Sequence, residues 1–461
     1  MKFINRTSER EFLQKEYHRE SSSLVIIYGR RRIGKTALIT EFCKNKNALY
    51  FLATEESETE NRNNFKDLAC EYTENELLGS AIIKKWDIIF KSIVDYKTSE
   101  KKIIIIDEFQ YLGKGNPAFP SVFQKIWDTI LNNSNIMVIL CGSLITMMES
   151  QTLSYDSPLY GRRTGQIKLQ QISFEHYKEF YTHMKKKELI EYYAVTGGVP
   201  KYIELFREST DIYTSIEDNV LGKSSFLYEE PTFLLQHEVS EIGSYFSIIK
   251  TIAAGNQKLS KIATVLEQPQ SNLTKYLKTL IDLDILVREV PITEENPAKS
   301  KRGLYKIKDN FLGFWFKFIY PNIGMLETER KEFVLNKIKR NFIDNHVSFV
   351  YEDICLEEMW KLNAEEKWCF NFDRCGRWWD KNSEIDIVAY DSQGKDIIFG
   401  ECKYTNSPKD IEVLRDLEIK AKEVKWKNDD RCQYFILFSI NGFTVKLQEL
   451  AAKRDDILLM M

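Results

Sequence analysis

The sequence predicts an α/β protein: a parallel sheet in the first third, a largely helical middle, and a second, smaller α/β domain at the end. Two patterns predict it. Short apolar runs at 24–28, 48–53, 103–107, 136–141 and 166–169 alternate with stretches of helical periodicity such as 36–44 and 119–132. Alternation of this kind builds a parallel sheet. Further on, apolar runs at 384–390, 397–403 and 434–439 flank a helical stretch at 410–425. The 461 residues suffice for about three domains. A chain 43% hydrophobic and 29% charged is neither disordered nor collagenous. No apolar run approaches the ~20 residues that span a bilayer, and the first residues lack the apolar core of a secretory signal.

The net charge of -3 excludes a generic polyanion binder, so any nucleic-acid surface must be local. Cysteines stand at 43, 70, 141, 355, 369, 375, 402 and 432. None forms a C-x-x-C pair, and the five histidines complete no zinc spacing. Reduced thiols in a cytoplasmic protein are the expectation.

The first apolar run leads into Gly29-Arg30-Arg31-Arg32-Ile33-Gly34-Lys35-Thr36 and then an amphipathic helix. Glycines let successive backbone N–H groups wrap phosphates, and the helix N-terminus adds a favourable dipole. The loop from Gly29 through Arg32, Ile33, Gly34 and Ala37 is therefore a candidate phosphate cradle. Lys35 would reach the β- and γ-phosphates of ATP, and Thr36 would ligate Mg²⁺. The run of four isoleucines at 103–106 ends in Asp107-Glu108. Asp107 would hold Mg²⁺ through water and Glu108 would orient or activate the attacking water. One further strand, 48–53, lies between the two motifs, which resembles the additional-strand, catalytic-glutamate class of P-loop ATPases. Ser143 ends the fourth run, placed either to sense the γ-phosphate or to cap the next helix. Arg162 and Arg163 follow, as an arginine finger or as a surface pair.

Residues 245–308 read as helix, short helix, turn, helix and charged hairpin, the order of a winged helix. Pro269–Ser271 supplies the turn and an N-cap. Leu273, Tyr276, Leu277 and Leu280 form one helical face, with Asn272, Lys275 and Lys278 opposite. Lys299, Lys301, Arg302, Lys306 and Lys308 surround Gly303 in the expected wing. This arrangement suits duplex DNA or packing against protein. A break is expected near Pro321–Gly324.

In the last domain, Asp386 on one strand and Glu401 and Lys403 on the next would meet across a hairpin turning at 392–395. Two carboxylates and a lysine at strand ends suit Mg²⁺-dependent phosphodiester hydrolysis. Asp386 and Glu401 would hold the metal, with Glu352 on an earlier helix as a further ligand, and Lys403 would steady the phosphate. Trp378 and Trp379, ahead of the strand, and Trp360 and Trp368 are expected to pack in the core or between subdomains, with base stacking as the alternative. The run Lys185-Lys186-Lys187 reads as a solvated helix end.

The succession Phe3-Ile4-Asn5-Arg6, GRRRIGKT, IIIIDE, LCGS, SPLYGRR and Thr196-Gly197-Gly198-Val199-Pro200 resembles the archaeal-type ATPase family, a branch of the signal-transducing ATPases with numerous domains, related to AAA+. The resemblance implies that the Arg6 segment lies near the adenine and that Pro200, in a helical lid, packs on the nucleotide. The D…E-x-K pattern with its upstream Glu352 resembles the PD-(D/E)xK nuclease superfamily, with Ile385 where that motif has proline, and the C-terminal domain often fused to these ATPases. The expected organisation is a P-loop ATPase domain at 1–170, lid at 171–238, winged helix at 239–322 and restriction-endonuclease-like domain at 323–461. The expected function is an ATP-gated, Mg²⁺-dependent DNA-binding or DNA-processing factor. A regulatory ATP switch with a non-catalytic C-terminal domain is the alternative. A finger acting in trans would make it a homo-oligomer that remodels protein.

Overall fold

A computed structural model describes residues 3–208, 211–368 and 370–461. Cys369 lies outside the described residues, and the other seven cysteines are free thiols. The chain divides into two compact units. The first runs through Phe180 and adds Gly198–Glu204 and Phe233–Ser240; the second holds Tyr181–Gly197, Leu205–Thr232 and Glu241–Met461. The expected lid segment is thus shared between them. Among the described residues no helix is long and apolar enough to cross a membrane.

The first unit contains β1 (Ser23–Tyr28), β2 (Ala48–Leu52), β3 (Lys102–Asp107), β4 (Ile136–Gly142) and β5 (Gly165–Lys168). They form one parallel sheet in the order β2-β3-β4-β1-β5. β1 and β4 are buried along their whole length, and β3 from Ile103 onward. A parallel sheet covered on both faces requires such unbroken Ile/Val/Leu runs. One face packs Leu13, Leu38 and Ile39 against Val25, Ile105 and Ile139. The other carries an aromatic cluster, with Phe65 5.1 Å from Phe51 and 4.9 Å from Phe90. Because β4 separates β1 from β3, the loops leaving these three strands open side by side, where α/β sheets bind ligands.

In the second unit helix Lys186–Thr196 comes first, and the stretch after Glu241 opens with helices Ile242–Ala253, Leu259–Leu266 and Gln270–Asp282. An antiparallel hairpin follows, β6 (Leu286–Glu289) with β7 (Leu304–Ile307). Helix Gln270–Asp282 buries Leu273, Leu277 and Leu280 and exposes Asn272, Lys275 and Lys278. Ser271 is not its cap. Pro269 holds that position with no side-chain hydrogen bond, and Ser271 lies in the first turn. The break expected near Pro321–Gly324 does not occur. Helical turns run from Asn310 to Glu327. Pro321 lies within this helical stretch, and Asn322 Nδ2 donates to Phe318 O at 2.7 Å.

Helix Ser348–Ala364 leads into β8 (Arg374–Trp379), β9 (Glu384–Tyr390) and β10 (Asp396–Lys403). Helix Ile411–Ala421, β11 (Cys432–Ser439), helix Val445–Ala451 and β12 (Ile457–Met460) complete the unit. The sheet order is β12-β11-β10-β9-β8. β9 runs antiparallel to both its neighbours, β8 and β10, and β10, β11 and β12 are parallel. Trp378 and Trp379, ahead of β9 as expected, end a further strand, β8, with Trp378 in the core. Trp360, expected in the core, is 45% exposed, its ring 5.3 Å from Phe372. The segment between β6 and β7 lies along β8. Ile292 N–H donates to Arg377 O at 2.9 Å, the Tyr390 hydroxyl donates to Ile292 O at 3.1 Å, and Arg302 donates to Trp379 O.

A buried histidine gives the second unit an acid-sensitive point. His346 Nε2–H donates to Ala194 O at 2.7 Å, among the rings of Phe314 and Phe342. Burial pushes its pKa down from 6.5 to about 4. The unfolded chain therefore binds the extra proton first, and stability present above pH 6.5 is lost as pH falls toward about 4. The loss should reach roughly 3 kcal/mol. Urea midpoints measured against pH should show this slope for the wild type and a shallower one for His346→Gln.

Candidate nucleotide and carboxylate sites

Backbone conformation shapes the loop after β1. Gly29, Arg32 and Gly34 have φ of 146°, 69° and 92°, and a Cβ on Gly29 would lie 2.6 Å from Leu169 O. The loop delivers Lys35 into the start of helix Lys35–Cys43. Its buried ammonium donates to Gly29 O at 2.8 Å and Arg30 O at 2.9 Å, and burial lowers its pKa. A buried cation held only by neutral carbonyls fits a phosphate, whose charged oxygens make the stronger hydrogen bond. Thr36 and Ala37 lie exposed beside it. The Arg6 guanidinium, expected near the adenine, is buried behind the loop. It donates to Ile33 O at 3.1 Å and Gln170 O at 2.6 Å and pairs with Glu9 at 3.2 Å. Gly198, with φ of 70°, passes so close to Ile172 that a Cβ would lie 2.0 Å from its carbonyl oxygen. That turn delivers Pro200, whose Cγ is 3.7 Å from where a Gly34 Cβ would stand.

Asp107, buried at the end of β3, faces the start of this helix. Its Oδ1 accepts the Glu108 N–H at 2.9 Å, and its Oδ2 accepts the Thr36 hydroxyl at 3.3 Å and the Tyr50 hydroxyl. A threonine oxygen beside a carboxylate is a suitable donor set for Mg²⁺. Glu108 has a φ of 53°. Its Oε2 accepts the Ser143 hydroxyl at 2.8 Å, the Ser143 N–H at 3.2 Å and the Gln110 amide. Ser143 is thus engaged with the glutamate rather than presented to a γ-phosphate, and the N-cap of the next helix is Leu144. Arg162 pairs with Asp128 at 3.1 Å, and Arg163 lies 5.8 Å over the Tyr160 ring. The described contacts bring neither arginine to the loop.

In the second unit, the antiparallel register of Gly400 with Ile387 puts Asp386 beside Glu401, as the hairpin reading requires. Asp386 Oδ2 accepts the Cys402 N–H at 2.8 Å. Glu401 is buried, with Lys403 at 2.5 Å and Lys420 at 3.3 Å. Burial, and then the charge of Glu401, push the Asp386 carboxyl up to about 6. Burial, and then Asp386, push Glu352 up to about 7. Glu352 is held by Arg377 at 3.0 Å, which also reaches Asp353 at 2.9 Å and Glu289 at 3.2 Å. Among the described residues no three acidic, histidine or cysteine side chains form a ready metal cage. Glu352 is committed to Arg377, and Glu401 to Lys403 and Lys420. The β6–β7 hairpin, expected as a wing, is less basic than its composition: Arg302 pairs with Glu294 at 2.9 Å, Lys306 with Glu289 at 3.2 Å and Lys308 with Asp284 at 3.1 Å. Lys299 and Lys301 are exposed.

Tyr50, Gln110, Arg377 and Lys420 escape the sequence reading. Each meets its partner through sheet or helix packing, and only Gln110, two residues from Glu108, leaves a local trace.

Comparison with known proteins agrees with this architecture. The profile of an ATPase domain predominantly from Archaea matches residues 3–206. A second profile, described as archaea bacterial proteins of unknown function (DUF234), matches residues 315–414. The Walker-type ATPase paby2304 of Pyrococcus abyssi shares the fold, with a TM-score of 0.52 at 19% identity over 68% of this chain and 96% of that one. The uncharacterized ATP-binding protein MJ0423 of Methanocaldococcus jannaschii is 50% identical over 44 residues, 10% of this chain and 75% of that protein. The uncharacterized protein MJECL04 of the same organism is 36% identical over 443 residues, 94% of this chain and 95% of the relative. The chain belongs to the MJECL04 family, an archaeal-type ATPase domain joined to a DUF234 domain.

Proposed function

We propose that this protein is a Mg²⁺-dependent ATPase that couples nucleotide state to a DNA-binding or DNA-processing C-terminal region. The observation that carries the ATPase reading is the convergence of Lys35, Thr36, Asp107 and Glu108 at the ends of strands flanking β4. In this reading the amides of the 29–37 loop wrap the phosphates. Lys35 Nζ leaves two backbone carbonyls for charged phosphate oxygens, a stronger set of acceptors. Pro200 closes over the loop. Mg²⁺, held by Thr36 and through water by Asp107, would neutralise charge on the β- and γ-phosphates. Glu108 leaves Ser143 and Gln110 to orient the attacking water, and its carboxylate takes up the proton. Arg162 acts as a finger in a neighbouring copy only after leaving Asp128.

In the C-terminal region, the order helix, three antiparallel strands, helix, strand supports a PD-(D/E)xK-like reading. Asp386 and Glu401 would hold a divalent cation, and Lys403 would steady the phosphodiester. The exposed Asn272, Lys275 and Lys278 face of helix Gln270–Asp282 would enter a major groove, with Lys299 and Lys301 on phosphates. A second reading, a non-catalytic binding domain under an ATP switch, is favoured by the pairing of Glu401 with two lysines.

Lys35→Ala should weaken binding of a fluorescent ATP analogue by about 10-fold or more, the loss of charged hydrogen bonds. Glu108→Gln should keep that binding and slow hydrolysis by about 10²–10⁴-fold. Unchanged binding in the first variant would overturn the nucleotide site. Incubation with linear, supercoiled and branched DNA, with Mg²⁺ or Mn²⁺ and with or without ATP, should give cleavage that Asp386→Ala and Lys403→Ala abolish. Retained DNA binding with no cleavage by the wild type selects the non-catalytic reading.

A further inference from the structure

Tyr50 lies on β2, the edge strand of the first sheet. The parallel register sets Tyr50 beside Ile105 and Leu52 beside Asp107 on β3. Leu49 and Phe51 are buried while Tyr50 and Leu52 are exposed, at 37% and 52%. An aromatic residue on an exposed edge is ordinary for a β-strand. Its hydroxyl, however, reaches across to a carboxylate that is 4% exposed, and this hydroxyl–carboxylate bond is what edge-strand packing does not require.

The two oxygens of Asp107 have different partners. Oδ1 accepts the Glu108 N–H at 2.9 Å, a bond fixed by the backbone. Oδ2 accepts Thr36 and Tyr50 together. Thr36 is the residue that would ligate the cation, so Oδ2 is the oxygen turned toward the metal position. One hydrogen bond to its own backbone leaves a carboxylate room to rock about its Cβ–Cγ bond. A further donor on the other oxygen, arriving from a different strand, narrows that motion. Tyr50 supplies it from 57 residues away.

We propose that the Tyr50 hydroxyl is a positioning group of the Mg²⁺ site, holding Asp107 Oδ2 in the orientation that receives the metal's water shell. The inference rests on the nucleotide-site reading above. The Tyr50 hydroxyl bonds Asp107 and meets the Thr36 side chain, and its contribution passes through those two residues. Removing the hydroxyl should therefore change how much Mg²⁺ the site needs, and leave metal-free nucleotide binding and the fold unchanged.

The test is the affinity of the full chain for a fluorescent ATP analogue, titrated with Mg²⁺ and also measured in EDTA. Tyr50→Phe keeps the ring and the strand. It should need about 3- to 10-fold more Mg²⁺ for half-maximal effect, the scale of one hydrogen bond, with affinity in EDTA unchanged. Leu52→Ala, one pleat along the same exposed face, should match the wild type in both measurements. A Mg²⁺ requirement that Tyr50→Phe leaves unchanged or lowers overturns the proposal alone. A Leu52→Ala shift as large as that of Tyr50→Phe also overturns it, because the effect would then belong to the strand. A wild-type chain that binds no nucleotide overturns the site reading itself, and the proposal with it.

Discussion

Burial of β3, β4 and β1 on both faces is the constraint on which the ATPase unit depends. Inside such a sheet a polar side chain must find a partner, because an unpaired polar group there costs several kcal/mol. Chemistry is therefore confined to strand ends. The order β2-β3-β4-β1-β5 then decides which ends are neighbours. It places the loop after β1, the Asp107-Glu108 pair after β3 and Ser143 after β4 on one rim. Helix Lys35–Cys43 begins on that rim, and its N-terminal dipole favours negative charge there.

The charged groups that leave water in this protein are met by specific partners. Lys35 is held by carbonyls of its own loop, Arg6 by two more carbonyls and Glu9, and Asp107 by two hydroxyls and an amide. In the second unit Arg377 gathers Glu289, Glu352 and Asp353, while Glu401 gathers Lys403 and Lys420. Removing one member of such a set leaves the others buried and uncompensated, which costs more than the set contributes when intact. The two sites differ in what holds them. On the rim of the first sheet the Lys35 ammonium is held by neutral carbonyls, whereas the carboxylate cluster is held by cations of its own.

Features written in local periodicity were legible in the sequence. The five strands of the first sheet, the phosphate-loop pattern, the β9–β10 hairpin and the apolar stripe of helix Gln270–Asp282 all follow from runs, spacings and turns. Features that depend on distant partners were not. Nothing around Tyr50 announces Asp107, and nothing around Arg377 announces Glu289. The expected wing shows the same limit: its lysines and arginines stand out in composition, yet Glu289, Glu294 and Asp284 neutralise three of them. Pro321 and Gly324 were misread because both residues mark turns in isolation, while the surrounding aromatic residues make burial in a helix the stronger demand.

The strip of chain between β6 and β7 that lies along β8 has a consequence for reach. Hydrogen bonds from Ile292 to Arg377, from Tyr390 to Ile292 and from Arg302 to Trp379 fasten the hairpin after helix Gln270–Asp282 to the sheet that carries Asp386 and Glu401. They also cover a strand edge that would otherwise invite pairing with another chain. The spacing between that helix and the Asp386–Glu401 pair is therefore set by hydrogen bonds and not by a free linker.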